Sequence, residues 1–156
     1  KYWNNDLGVS YSHAPHYRET AAAAILEMRR QVPQDVFDAE GLLQKGLLLR
    51  HLILPGQYRD SMRILDWVRA SLGEETLVSL MSQYTPLYRA KEIKALSRKL
   101  TTFEYEKVID YFFEIGLKNG FMQKRSSATG EYTPTFDLSG VVAAESFMKR
   151  EENHHD

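Results

Sequence analysis

The 156-residue sequence contains no cysteine, which excludes disulfides, thiolate catalysis and any iron–sulfur or cysteine–zinc site built from this chain alone. It also has almost no net charge. With 20 Lys and Arg against 21 Asp and Glu the formal balance is −1, so no long-range field draws the chain to nucleic acid or an acidic membrane. Long apolar runs are missing too: the longest, 47–54, is interrupted by Arg50 and is far shorter than the roughly 20 residues that span a bilayer. No charged-then-apolar signal segment opens the chain, and neither G-x-G-x-x-G nor a Walker-type phosphate loop occurs. These absences point to a cytoplasmic protein with neither a membrane nor nucleic acid as partner. The first residue is Lys1, not methionine, which suggests a piece of a longer protein.

What is present is enough for one globular core, with 43% hydrophobic and 26% charged residues. After Lys1-Tyr2-Trp3, a stretch rich in Asn, Gly and Ser reads as a polar loop leading to Pro15. Tyr17, Ala21, Ala24, Ile25, Met28 and Val32 then recur at helical spacing, and Pro33 stops the helix because it lacks an amide donor. A connector carries the chain to Gly46. Residues 47–54 are apolar on both parities apart from Arg50 and His51, the pattern of a parallel strand covered on both faces, and Pro55-Gly56 ends it.

A helix opening at Asp60 or Ser61 buries Met62, Leu65, Val68 and Leu72 and closes at Gly73 in the αL conformation. Residues 76–83 read as the next buried strand, and 89–99 as a charged helix. Thr101 and Glu104 have the spacing of a capping box for a further helix with Tyr105, Val108, Ile109 and Phe112 inward. A short strand is expected over 121–123, an irregular stretch over 132–141, and a charged tail beyond it. Alternating strands and helices with these connection lengths argue for an α/β fold with parallel strands and flanking helices. Three or four strands are too few to close an eight-stranded barrel, so the expectation is a partial (β/α) barrel over residues 1–141, with 142–156 as tail.

In such barrels the chemistry sits at the C-terminal ends of the strands, which singles out Arg50, His51, Gln83 and Tyr84. Arg50 is a fixed cation with a planar donor fork, suited to a carboxylate, although a cation within an apolar strand also fits an internal ion pair. His51 points to the opposite face and reads as a hydrogen-bonded packing residue ahead of a catalytic base. Alternation puts Ser79, Met81 and Gln83 on one face, and its greater polarity assigns Gln83 to the barrel mouth. Tyr84 and Tyr88 flank Pro86 and suit either stacking on an adenine or packing of the turn.

Several segments together carry a family resemblance: KYW at Lys1, YSHAPHYRETA from Tyr11, GLLLRHLILPG from Gly46, LMSQYTPLY from Leu80, LSRKLTTFEY from Leu96, GLKNGFMQ from Gly116 and TPTFDLSGV from Thr133. Taken in order they resemble the C-terminal half of radical S-adenosylmethionine proteins of the pyruvate formate-lyase activating type. The resemblance implies a radical-SAM-like open barrel holding a 4Fe-4S cluster on a C-x-x-x-C-x-x-C loop. It further implies that the reduced cluster cleaves S-adenosylmethionine to a 5′-deoxyadenosyl radical, which abstracts hydrogen from substrate. This chain departs from the pattern by lacking the cysteine loop, which would lie before Lys1, so the fragment alone is expected to be inactive. The family's D-L-K segment ends a central strand with a lysine near the cofactor, and Lys1 matches that lysine. Lys1, Arg50, Gln83 and Tyr84 are therefore the expected cofactor-lining residues, with the N-terminal half of the barrel as partner and a glycyl-radical protein as a substrate the family name suggests.

Rival readings attach to the same sequence. His13 and His16 form a pair without a third ligand nearby, a weak metal pattern, and His154-His155-Asp156 reads as an exposed tail. Asp137 reads as a turn residue. A non-catalytic module that dimerises or docks through open sheet edges is the main alternative, and a small complete enzyme using Arg50 and His51 on an anionic substrate is a further one.

Overall fold

A computed structural model describes residues 1–122 of the chain. The expected strand at 121–123 falls partly inside this range, whereas Asp137, the boundary at 141 and the histidines of the tail lie outside the described residues. The elements are α1 (Asn5–Ser12), α2 (Tyr17–Gln31), β1 (Val36–Phe37), β2 (Leu43–Lys45), β3 (Leu48–Leu52), α3 (Tyr58–Leu72), β4 (Leu77–Met81), a 3-10 turn (Tyr88–Lys91), α4 (Thr102–Glu114) and β5 (Gly120–Met122). The chain is α/β. β3, β4 and β5 form a parallel sheet in that order, and β1 with β2 forms a separate antiparallel hairpin.

Strand alternation and the parallel register decide what each face of the sheet carries. Leu49, His51, Val78, Leu80 and Met122 share one face, which is packed by Leu65 and Val68 of α3 and by Tyr105, Val108 and Phe112 of α4. Burying these apolar stripes supplies most of the driving force, at about 25 cal/mol per Å² removed from water. β5 approaches α4 closely at Gly120, where a Cβ would stand 2.9 Å from Phe112 Cε1 and 2.5 Å from Met122 Cε, so only glycine fits without displacement. α4 begins at the capping box that its sequence announces: Thr101 Oγ1 accepts the Glu104 amide, and the Glu104 carboxylate accepts the Thr101 amide.

The opposite face lacks a helical layer among the described residues. Leu48 is 39% exposed and Phe121 54% exposed, so the expectation that 47–54 is covered on both sides does not hold. The apolar double parity of that run has a different origin: Leu52 joins a second cluster with Tyr2, Leu54, Tyr84 and Leu96 at the C-terminal end of the strands. At the N-terminal end, Phe37 of the hairpin and Leu77 of β4 line a cavity of about 460 Å³ together with Arg29 and Asp35.

Four further expectations are corrected. The stretch expected as a polar loop is α1, because Asn4 caps it by accepting the Asp6 amide and Gly8 packs against Tyr17 with no room for a Cβ. The connector before Gly46 contains the hairpin, pinned where Asp35 accepts the Leu47 amide at 2.9 Å and pairs with Arg29 at 3.0 Å. Residues 89–99 form a single 3-10 turn followed by bends: Tyr88 stands at φ 48°, and the Leu96 carbonyl accepts the Tyr84 hydroxyl. Gly73 has φ 92° and ψ 170°, an extended ψ in place of the αL cap.

Candidate functional site

The register aligns Arg50 of β3, Ser79 of β4 and Phe121 of β5 in one row across the open face of the sheet. A guanidinium, a hydroxyl and an exposed ring therefore stand side by side. Arg50 is exposed and forms no ion pair or hydrogen bond among the described residues, while its apolar neighbours along β3 are Leu48 and Leu52. A guanidinium held on a rigid strand presents a planar fork of five donors suited to a carboxylate or phosphate. Its internal-ion-pair reading has no carboxylate to draw on among the described residues.

His51, one residue on, faces the other way. It is buried, and its Nε2 lies 2.9 Å from Ser61 Oγ, whose own proton goes to the Gln57 carbonyl at 3.3 Å. That chain of bonds assigns the proton to Nε2. Burial, aided by the positive chain terminus, pushes the imidazole pKa down from 6.5 to about 3, so His51 is neutral near physiological pH. It is enclosed between β3 and α3 and packs the core, as the sequence favoured.

The other expected residues are distributed around this row. Tyr84 is 9% exposed, its ring within the Tyr2, Leu54 and Leu96 cluster and its hydroxyl bonded to Leu96, the arrangement of a packing tyrosine. Burial raises its pKa above the ordinary value. Gln83 is half-buried just beyond β4. Lys1 is exposed, with Nζ 5.5 Å from the Tyr2 ring centroid, and it lines a small cavity between the N-terminal segment, α2 and α3. No contact joins Lys1 to Arg50. His13 and His16 have φ of 50° and 59° at the C-cap of α1 and the N-cap of α2, so both turn the chain between helices. No group of three metal-ligating side chains occurs among the described residues.

Two acids that sequence reasoning read only as helix starts frame the site. Asp60, in the first turn of α3, accepts the amides of Trp3 and Asn4 at 2.8 and 2.9 Å, fixing the N-terminal segment beside the C-terminal end of β3. Glu104 accepts the Gly56 amide at 2.6 Å, the Thr101 amide and hydroxyl, and both terminal nitrogens of Arg98 at 2.7 and 2.8 Å. These donors, Arg98 foremost, hold its pKa down at about 2 against burial that opposes them. The signal for Asp60 was its place in a helix's first turn; nothing local in the sequence announces the reach of Glu104 to Gly56.

The residues present divide clearly over the groups the resemblance implies. A cluster does not fit this chain alone, since no thiolate is available. A carboxylate-bearing cofactor fits the guanidinium of Arg50, which has no partner among the described residues, with Ser79 beside it.

No protein-family model and no solved structure matches the chain. An uncharacterized protein of the archaeon Methanocaldococcus jannaschii is similar, at 28% identity over 113 residues. The match covers 70% of this chain and 28% of that protein, so the chain spans less than a third of the relative's length. Among the described residues no helix is long and apolar enough to cross a membrane.

Proposed function

We propose that this chain forms the C-terminal part of a cytoplasmic radical S-adenosylmethionine enzyme of the activating type, its open sheet face serving as inner wall of a barrel completed by an N-terminal half. The observation that carries this reading is Arg50 on that face, in register with Ser79 and without a partner among the described residues. A barrel interior is where such a strand cation meets a ligand instead of water. Arg50 would bind a carboxylate of the cofactor, Gln83 would supply polar contact at the mouth, Tyr84 would support the mouth from beneath, and Lys1 would approach from the preceding segment. When bound, cluster and cofactor would supply the 5′-deoxyadenosyl radical; this chain's part is to orient the cofactor and exclude water. The hydrogen donor is left open, a glycyl-radical protein backbone being one candidate.

The test is to express the reading frame upstream of Lys1 together with this chain, load iron and sulfide anaerobically, reduce, and measure 5′-deoxyadenosine. Release that falls in Arg50→Ala supports the reading. A loaded cluster without cleavage, or an upstream frame without a cysteine triad, removes it.

A second reading, a non-catalytic module that dimerises or docks through its sheet, is favoured by the exposure of Leu48 and Phe121 on one face that has no helical layer among the described residues. A mass that rises with concentration in the isolated chain supports it.

A further inference from the structure

We propose that Tyr58, Arg59, Arg98, Phe103 and Lys107, at the N-terminal ends of α3 and α4, form a docking site for an acidic polypeptide segment of a partner protein that carries an apolar side chain. The inference goes beyond the cofactor reading and stands without it, because none of these residues faces the open side of the sheet row.

Phe103 is 59% exposed, although the buried stripe of its helix, Tyr105, Val108 and Phe112, is complete without it. Its ring meets that of Tyr58 edge to face, with centroids 6.1 Å apart and planes at 77°. Two cations complete the surface: Arg59 Cζ lies 5.6 Å from the Tyr58 centroid and Lys107 Nζ 5.7 Å from that of Phe103. Neither cation pairs with a carboxylate among the described residues. Such a composition, aromatic rings bordered by positive charge, is that of a protein-interface hot spot and not of a merely solvated face.

The charge balance at this end selects an acidic partner. Asp60 is buried and turned to the Trp3 and Asn4 amides, and buried Glu104 neutralises Arg98, so neither offsets Arg59 or Lys107. Glu106, beside Lys107, and Asp110, one turn further along α4, are exposed acids. Against them stand Arg59 and Lys107 and two helix N-termini with their partial positive charge. Arg98 joins the parts: it is bonded to Glu104, next to Phe103, and its Nη2 stands 4.0 Å from where a Cβ on Gly56 would be, two residues before Tyr58. The chain's net charge of −1 gives no long-range attraction for a polynucleotide, and rings set edge to face are not parallel platforms for stacked bases.

The experiment measures fluorescence anisotropy of the full chain with a labelled glutamate-rich peptide bearing one central leucine, beside polyglutamate and oligothymidylate. The leucine peptide should bind most tightly and weaken with added salt. Arg59→Glu with Lys107→Glu should lose roughly tenfold in affinity, and Phe103→Ala should abolish the advantage of leucine over plain polyglutamate. Arg59→Gln with Lys107→Gln should lose less but in the same direction, which guards against a reversal variant that fails to fold. Binding of oligothymidylate equal to or tighter than the peptide overturns the proposal in favour of a polynucleotide site. Absence of peptide binding, or affinity unchanged in both double variants and in Phe103→Ala, overturns it in favour of a solvated face.

Discussion

The Gly56 amide donates to the Glu104 carboxylate at 2.6 Å, tying the turn after β3 to the first turn of α4 across 48 residues. Glu104 is buried while its partner Arg98 keeps a side chain 46% exposed, so the two are not equal contributors. Glu104→Ala leaves the Gly56 and Thr101 donors without an acceptor and should cost about 2–4 kcal/mol. Arg98→Ala, whose pair is half solvated, should cost about 1 kcal/mol or less. Urea denaturation of the two variants measures the difference, and equal losses would contradict this account.

Acid should expose the same node. The Glu104 pKa falls from 4.5 to about 2 in the folded chain, so the unfolded chain takes up the proton first as pH drops. Its stabilising contribution is therefore complete above about pH 4.5 and is lost progressively toward pH 2. Wild-type stability should fall more steeply than that of Glu104→Gln through this window. Parallel curves would show that the carboxylate is not held as described.

Arg50 and His51 are neighbours in sequence with opposite consequences. Arg50→Ala removes an exposed side chain that has no partner among the described residues and should change stability by less than about 0.5 kcal/mol. His51→Ala opens a cavity and takes the partner from Ser61, at a cost of about 2–3 kcal/mol. Because burial holds the folded imidazole at a pKa of about 3, below its ordinary 6.5, this part of the stability is present above pH 6.5 and declines below it. The His51 ring resonances should not move between pH 7 and 5, as NMR can test.

The closeness of Phe112 to Gly120 makes a size prediction. Gly120→Ala should destabilise by about 1–3 kcal/mol through overpacking, and Phe112→Ala by about 3–5 kcal/mol through the cavity it leaves. The double variant should cost less than the sum, because the smaller residue 112 vacates the space that a methyl at 120 requires. A calorimetric double-mutant cycle provides the number, and strict additivity would contradict the contact.

Phe121 and Leu48 should govern self-association. Phe121→Glu puts a charge on the β5 edge of the face that carries Leu48 and should lower any concentration-dependent mass seen in sedimentation. A monomeric wild-type chain under all conditions would remove the dimer form of the second reading.

The parallel strands and the helices between them were legible in the sequence because their apolar positions recur with one period per element and their caps are local, as at Thr101 and Glu104. The faces of the sheet were less so. Leu48 and Leu49 are both apolar, and nothing in that pair distinguishes a side chain packed by α3 from one left open. α1 was hidden because Asn, Gly and Ser have low helix propensity, and its stability comes from Asn4 capping and from Tyr2, whose hydroxyl is 2.8 Å from Ser12 Oγ. The helical reading of 89–99 failed although the composition is favourable: Tyr88 stands at φ 48° and the chain then runs through short turns, with the Leu96 carbonyl accepting the Tyr84 hydroxyl. Of the expected site residues, Arg50 and His51 were separated correctly by alternation, whereas the reach of Glu104 and Asp60 depends on tertiary placement that no local pattern encodes.

The contacts of the covered face run between segments that follow one another along the chain, from β3 through α3, β4 and α4 to β5. The segment before β3 joins them differently, with the Trp3 and Asn4 amides resting on the single carboxylate of Asp60. The molecule thus has a self-sufficient block and an attached leading segment, and amide exchange should resolve them as two opening units. Removing the Asp60 carboxylate would loosen the leading segment against the block, to which it would then hold through the packing of Tyr2 on Leu54, Tyr84 and Leu96.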